Sequence, residues 1–232
     1  MRRLAGAALA VAIAVAASSG CTTTVRGIAV RDADAAPTDV RPLQESQLDD
    51  VMLSVGQLNG IVGATELKVV VDNQEMSDNA EAVSDPDCLG SIFGAEDLVY
   101  RSSNWTAVRD QVAHEPGDAN QHWIEQTVVL YPTEKLAKDF VAAATSSWRD
   151  CSGFSVAVDD QTTSSIWLIE NVSVRDGVVT QVVAQEDSDG WECQHALTSV
   201  ANVSIEALAC AFGIEQEAVD VVDALVANAA GG

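Results

Sequence analysis

The chain has 232 residues, with 12 Lys and Arg against 35 Asp and Glu, a formal net charge of −23, and 47% hydrophobic residues. So acidic a protein repels phosphate backbones and anionic headgroups, which excludes nucleic acid as a partner and leaves membrane contact to a covalent lipid. The acids are spread along the chain rather than run together, as on a solvated surface.

Met1-Arg2-Arg3 makes a positive start, and Leu4 to Ala17 is an uncharged apolar run of 14 residues. A bilayer core needs about 20, so residues 1–20 read as a cleaved secretory signal. Ser18-Ser19-Gly20-Cys21 then places small residues before a cysteine, as in a bacterial lipobox, although Ser18 stands where that motif usually has Leu. Cys21 is the expected lipidation site, which predicts a chain anchored to the cell membrane on its extracytoplasmic side. Removal of residues 1–20 leaves 10 Lys and Arg against 35 acids, a charge of −25. Residues 21–44 carry Thr, Ala, Asp and two prolines without apolar period and read as a flexible tether;. Residues 45–228 have the size of one domain with a full core, and 229–232 remain as a tail.

Within that domain, Gln47 to Leu58 is a predicted helix, with Leu48, Val51, Met52, Val55 and Leu58 on one stripe, Ser46 as cap and Gly60 as stop;. Trp105–Ala113 and His122–Tyr131 alternate as strands around a polar loop;. Glu134 to Trp148 is a second helix capped by Thr133, with Leu136, Phe140, Val141, Ala144 and Trp148 on one stripe;. Ile166–Arg175 and Val178–Ala184 flank Asp176-Gly177, a two-residue hairpin signal;. Trp191–Ser199 and Val203–Cys210 follow as strands, and Glu215 to Asn228 is a closing helix. The pattern is α+β: a largely antiparallel sheet of about six strands with helices packed on one face.

Four cysteines remain beyond Cys21: Cys88, Cys151, Cys193 and Cys210. An even number after a signal predicts two disulfides, with three ways to pair them. If Ala201-Asn202 is a two-residue loop, Cys193 and Cys210 each lie eight residues from it and face one another. Counted from Val200/Val203, the pair falls at a non-hydrogen-bonded position, where Cα atoms are about 4.5 Å apart, within reach of a disulfide. A longer loop would change that parity. Under the two-residue register Cys88 and Cys151 pair by elimination. No CxxC spacing supports zinc.

No GxSxG, HExxH, Walker or GxGxxG motif occurs, no cofactor or metal is implied, and a non-catalytic protein is expected;. His114, His122 and His195 are scattered; an Asp or Glu clustered with His122 or His195 in one cleft would be the sign of an unrecognised hydrolase;. Asp187-Ser188-Asp189-Gly190 lacks flanking calcium ligands and reads as a turn;. The five tryptophans, Trp105, Trp123, Trp148, Trp167 and Trp191, do most of the large-ring packing in a chain with only 5% aromatics. Core filling is their ordinary role. Trp123, which starts a strand, and Trp148, which ends the following helix, are the pair expected to line a ligand cleft;.

The run from Asn104 to Phe154, with Trp-x-x-Cys at 148–151, resembles the PknH-like extracellular sensor domain of mycobacteria and their relatives. So does the closing segment from GWECQHAL at 190–197 to the last cysteine and the helix after it. That family occurs as the outer portion of transmembrane Ser/Thr kinases and as free-standing lipoproteins, and this chain has no kinase motif. The resemblance implies first-with-second and third-with-fourth disulfides and a sheet flanked by helices with a cleft for a small ligand. The partners to expect are therefore a small molecule in that cleft or another envelope protein, such as a kinase ectodomain, docked on the surface.

Overall fold

The computed structural model describes residues 40–117, 120–159 and 163–231; the signal, Cys21 and the tether up to residue 39 lie outside them. Among the described residues one antiparallel sheet has nine strands: β1 (Lys68–Asn73), β2 (Ala107–His114), β3 (His122–Leu130), β4 (Ser155–Asp159), β5 (Ser164–Ile169), β6 (Ser173–Arg175), β7 (Val178–Gln185), β8 (Trp191–Val200) and β9 (Val203–Phe212). Their spatial order is β1-β2-β3-β9-β8-β7-β5-β4, with β6 paired to β7 off that path. The β2–β3 hairpin and the later meander are thus joined where β3 pairs β9.

The helices are α1 (Leu48–Val51), α2 (Val55–Val62), α3 (Leu89–Ile92), α4 (Asp97–Tyr100), α5 (Glu134–Cys151) and α6 (Glu217–Gly231). They cover both faces, not the single face expected. Adjacent residues of β8 demonstrate this. Gln194 Oε1 accepts the Ala218 N–H at the start of α6, whereas the His195 ring lies 4.3 Å from that of Trp148 in α5. The sequence of β9, VSIEALACAF, hides the second layer because nearly every position is buried, so no polar face marks which side meets water;. One core joins α1, α2 and α6 to Ile124, Val128, Ile205 and Ala207; on the other face α5 packs on Val129 and Leu197.

The predicted hairpin register is the observed one. Val200 faces Val203 and Cys193 faces Cys210, with Cα atoms 3.9 Å apart, and Ala201 takes φ 46° in the turn. Cys88 and Cys151 form the second disulfide, 63 residues apart, tying the turn before α3 to the end of α5.

Several expectations needed correction. The helix at 47–58 breaks at Met52–Ser54, because Gln126 of β3 accepts the Leu53 N–H and donates to the Leu53 carbonyl, both at 2.9 Å, replacing the helical partners of that residue;. The next helix has its own capping box, Ser54 with Gln57, and ends on left-handed Gly63;. The strand expected over Ile166–Arg175 is interrupted between β5 and β6, where Gln181 donates to the Glu170 carbonyl at 2.8 Å. Order begins before residue 45: Leu43 is buried and exchanges two hydrogen bonds with the Asn202 side chain, at 2.7 and 3.1 Å. Nor is 229–231 a loose tail, since α6 continues through it and Ala229 is buried in the core.

Asn202 is buried and also donates to the Tyr131 carbonyl at 2.9 Å. Asn202→Ala orphans three backbone groups and is expected to destabilise the domain by about 3 kcal/mol in urea unfolding. Replacing Cys88 and Cys151 together by Ser should cost about 4 kcal/mol on loop-closure entropy, and the intact domain should weigh four protons less than its reduced form.

Candidate functional site

The pairing that joins the cysteines also builds an aromatic ledge at one end of the sheet. Trp123 of β3 lies opposite Cys210, which lies opposite Cys193. Two residues along, Phe212 faces Trp191 with ring centroids 5.2 Å apart in an edge-to-face contact. Trp167 of β5, opposite Gln185 of β7, carries the row outward on the same face, and its indole N–H donates to the Ser165 hydroxyl at 2.9 Å. Trp123, Trp167 and Trp191 are all half-buried against the cluster that holds both disulfides, and Phe212 is 52% exposed. Rings so placed offer apolar faces to a ligand while their lower edges are held by disulfide sulfur and packed side chains.

Of the two tryptophans expected to share a cleft, Trp123 belongs to this ledge and Trp148 does not. Trp148 is 2% exposed, in the separate cluster under α4, because it lies on the inner stripe of α5 with Phe140 and Ala144. The partners of Trp123 are instead Trp191 and Phe212, each ten residues from the Ala201-Asn202 loop, so the register that paired the cysteines also contains them. Among the described residues, a polar cavity of about 460 Å³ between residues 40–47 and the end of α6 includes none of these rings.

Both histidine–carboxylate pairings occur. His122 Nδ1 lies 2.6 Å from Glu115, half-buried beside the β2–β3 loop. Burial acts to raise the Glu115 pKa, but hydrogen bonds from the His122 ring and backbone outweigh it and hold the carboxyl below its ordinary range;. His195 Nε2 lies 2.7 Å from Glu206, yet the ring is fully buried beneath Trp148, with no path for a substrate. Asp187-Ser188-Asp189-Gly190 is a turn, closed by Ser188 donating to the Gln185 carbonyl at 2.7 Å. Among the described residues no group of three or more His, Cys, Asp or Glu side chains is arranged to hold a metal.

Beneath α4 the sheet carries a buried polar layer that sequence inspection missed. Glu206 accepts the Tyr100 hydroxyl at 2.6 Å, Thr127 donates to Asp110 at 2.7 Å, and the Glu125 carboxyl is hydrogen-bonded to Asp110. Glu96 accepts the Asn79 N–H at 2.9 Å and its side-chain amide at 2.5 Å. Burial pushes Glu125 well above the usual carboxylate range, and the charges of Asp110 and Glu206 add to it;. Burial raises Asp110 too, partly offset by its donors Thr127 and Glu125;. Tyr100 is held well above its ordinary value by burial and by Glu206, and stays a neutral donor.

With this geometry in hand, the sequence pattern of the PknH-like extracellular domain matches residues 43–228. The chain belongs to the PknH-like extracellular domain family. It is 30% identical over 223 residues to the serine/threonine-protein kinase PknH of Mycobacterium tuberculosis, covering 96% of this chain and 34% of the kinase. The Mycobacterium bovis PknH is 30% identical over 186 residues, 80% of this chain and 31% of the kinase. This chain thus spans about a third of those relatives. The crystal structure of the extracellular domain of Mycobacterium tuberculosis PknH superposes with a TM-score of 0.80 at 28% identity, covering 84% of this chain and all of that one. Family membership makes this an extracytoplasmic type of domain, and among the described residues no helix is long and apolar enough to cross a membrane.

Tyr100→Phe leaves Glu206 short of its 2.6 Å donor inside the PknH-like fold. The expected loss is roughly 1–3 kcal/mol, as for a buried acceptor deprived of one partner, read by urea unfolding at neutral pH.

Proposed function

We propose that this chain is a lipid-anchored, non-catalytic sensor-like protein of the cell envelope, held by diacylated Cys21, that binds a small ligand on its aromatic ledge. The observation that carries the reading is the row Trp123, Phe212, Trp191 and Trp167 on one end of one sheet face. Stacked apolar faces beside indole N–H donors suit a ring-shaped molecule with a polar edge, such as a sugar or an aromatic ring. Attachment of related domains to kinases supports sensing rather than turnover, and the sealed His195–Glu206 pair supports a non-catalytic domain.

A second observation favours docking on another envelope protein, for which a kinase ectodomain is the natural choice. On the opposite face, β4, β5 and β7 extend beyond α6 and leave Ile166 at 45% and Leu168 at 40% exposure, beside Ala157 and Ala184. An apolar strip of this kind, rimmed by Glu170, Glu186 and Glu192, is suited to a flat partner with basic groups around an apolar centre.

Native mass spectrometry of the secreted, lipid-free chain should show a discrete bound mass that disappears on denaturation. Trp191→Ala should weaken its binding by roughly tenfold or more. A clean apo mass, together with crosslinks to a protein through the Ile166–Leu168 strip, would shift the assignment to docking. Cys21→Ser should move the full chain from the membrane fraction to the soluble one; retention in the membrane would sink the anchor.

A further inference from the structure

The segment Gly94–Tyr100 crosses the α5 face of the sheet directly over the buried carboxyl groups. Gly94 sits against Glu125 so closely that an added Cβ would stand 2.9 Å from the carboxyl. Ala95, wholly buried, is held at the left-handed φ of 50°, where a side chain is strained;. Its N–H points at Glu206 at 3.4 Å, and Tyr100 donates to the same oxygen. The outer edge is tied by Ser77, whose N–H donates to the Ala95 carbonyl and whose carbonyl accepts from Asp97, each at 2.8 Å.

We propose that Gly94–Tyr100 is a proton-operated clasp, closed on the sheet while Glu125 and Asp110 share one proton and released when that proton leaves. The shared proton is what lets the two buried carboxyls lie hydrogen-bonded to one another. Once it is lost they repel each other, Glu206 one strand away adds to the repulsion, and Gly94, which lies directly against the Glu125 carboxyl, is the backbone that gives way. Turning that residue aside also frees Ala95 from its strained conformation, so release is favoured twice.

The titratable groups on the same sheet face as the pair are Glu206 on β9, bonded to His195 of β8 and to Tyr100, and Glu96 at the start of α4; Asp72 of β1, paired with Gln111 and bridged to Arg109, lies on the opposite face. The side chains that α5 presents here, Phe140 and Trp148, carry no charge. Burial raises the Glu125 pKa, so the stability it contributes is complete below the ordinary carboxylate value and is lost as pH rises through the raised one;. The clasp is therefore shut on the acid side and open on the alkaline side.

The experiment is hydrogen exchange of the full chain from pH 5 to 8, each amide normalised to its intrinsic rate. In the wild type, protection of the Ala95, Val99 and Tyr100 amides should fall at least tenfold across that range while Val129 and Leu197 stay constant. Glu125→Gln donates to Asp110 without a proton to lose and should keep the clasp protected throughout. Protection that is flat with pH in the wild type overturns the clasp; so does a Glu125→Gln chain that loses protection as the wild type does, since the carboxyl pair would then not be the switch. Should Glu125→Gln fail to fold, Asp110→Asn makes the same test, since its amide donates to Glu125.

Discussion

Everything else in this fold is referred to the register of the β8–β9 hairpin. β9 lies between β8 and β3 with helices on both faces, so each of its side chains has a fixed depth and a fixed neighbour. A slip of one residue would exchange Ile205, Ala207 and Ala209, which pack toward α6, for Glu206 and Leu208, which face α5;. The two-residue turn sets that register and the Cys193–Cys210 bond locks it at the far end. Asn202, buried at the turn, ties the same hairpin to Leu43 and Tyr131.

The legible parts of the sequence were those with a strong local period or a countable spacing. The stripe of Leu136, Phe140, Ala144 and Trp148 announced α5, and Asp176-Gly177 announced a hairpin that is present. Counting eight residues out from Ala201-Asn202 found the disulfide, and counting ten finds Trp191 opposite Phe212. β1 was missed because Lys68–Asn73 is an edge strand with little buried surface and hence no alternation to read;. The one-turn helices α3 and α4 are too short to show any period. Gln126 shares a strand face with Ile124 and Val128, but its hold on Leu53 is a long-range contact that no local pattern records.

The same limit hid the carboxyl layer. Asp110, Glu125 and Glu206 each stand in an alternating strand at a position that a sequence reader assigns to water, and α4 and α5 then cover them. Burying acids is costly unless each finds a donor or a proton, and here Thr127, Tyr100, Asn79 and the carboxyls themselves supply those partners. His195 Nδ1 and Gln181 Oε1, facing one another across β7 and β8, are left without one among the described residues. The aromatic ledge and the acid layer therefore share a sheet face but differ in kind: the first is open and apolar, the second closed and polar.

The link between Leu43 and Asn202 has a mechanical consequence. Tension on the segment that leads into Leu43 is passed by two hydrogen bonds to the hairpin turn. From there the load runs along β8 and β9 to a covalent cross-link at the end of the sheet where the exposed rings lie. Strain entering at Leu43 is thereby directed to the opposite end of the central hairpin.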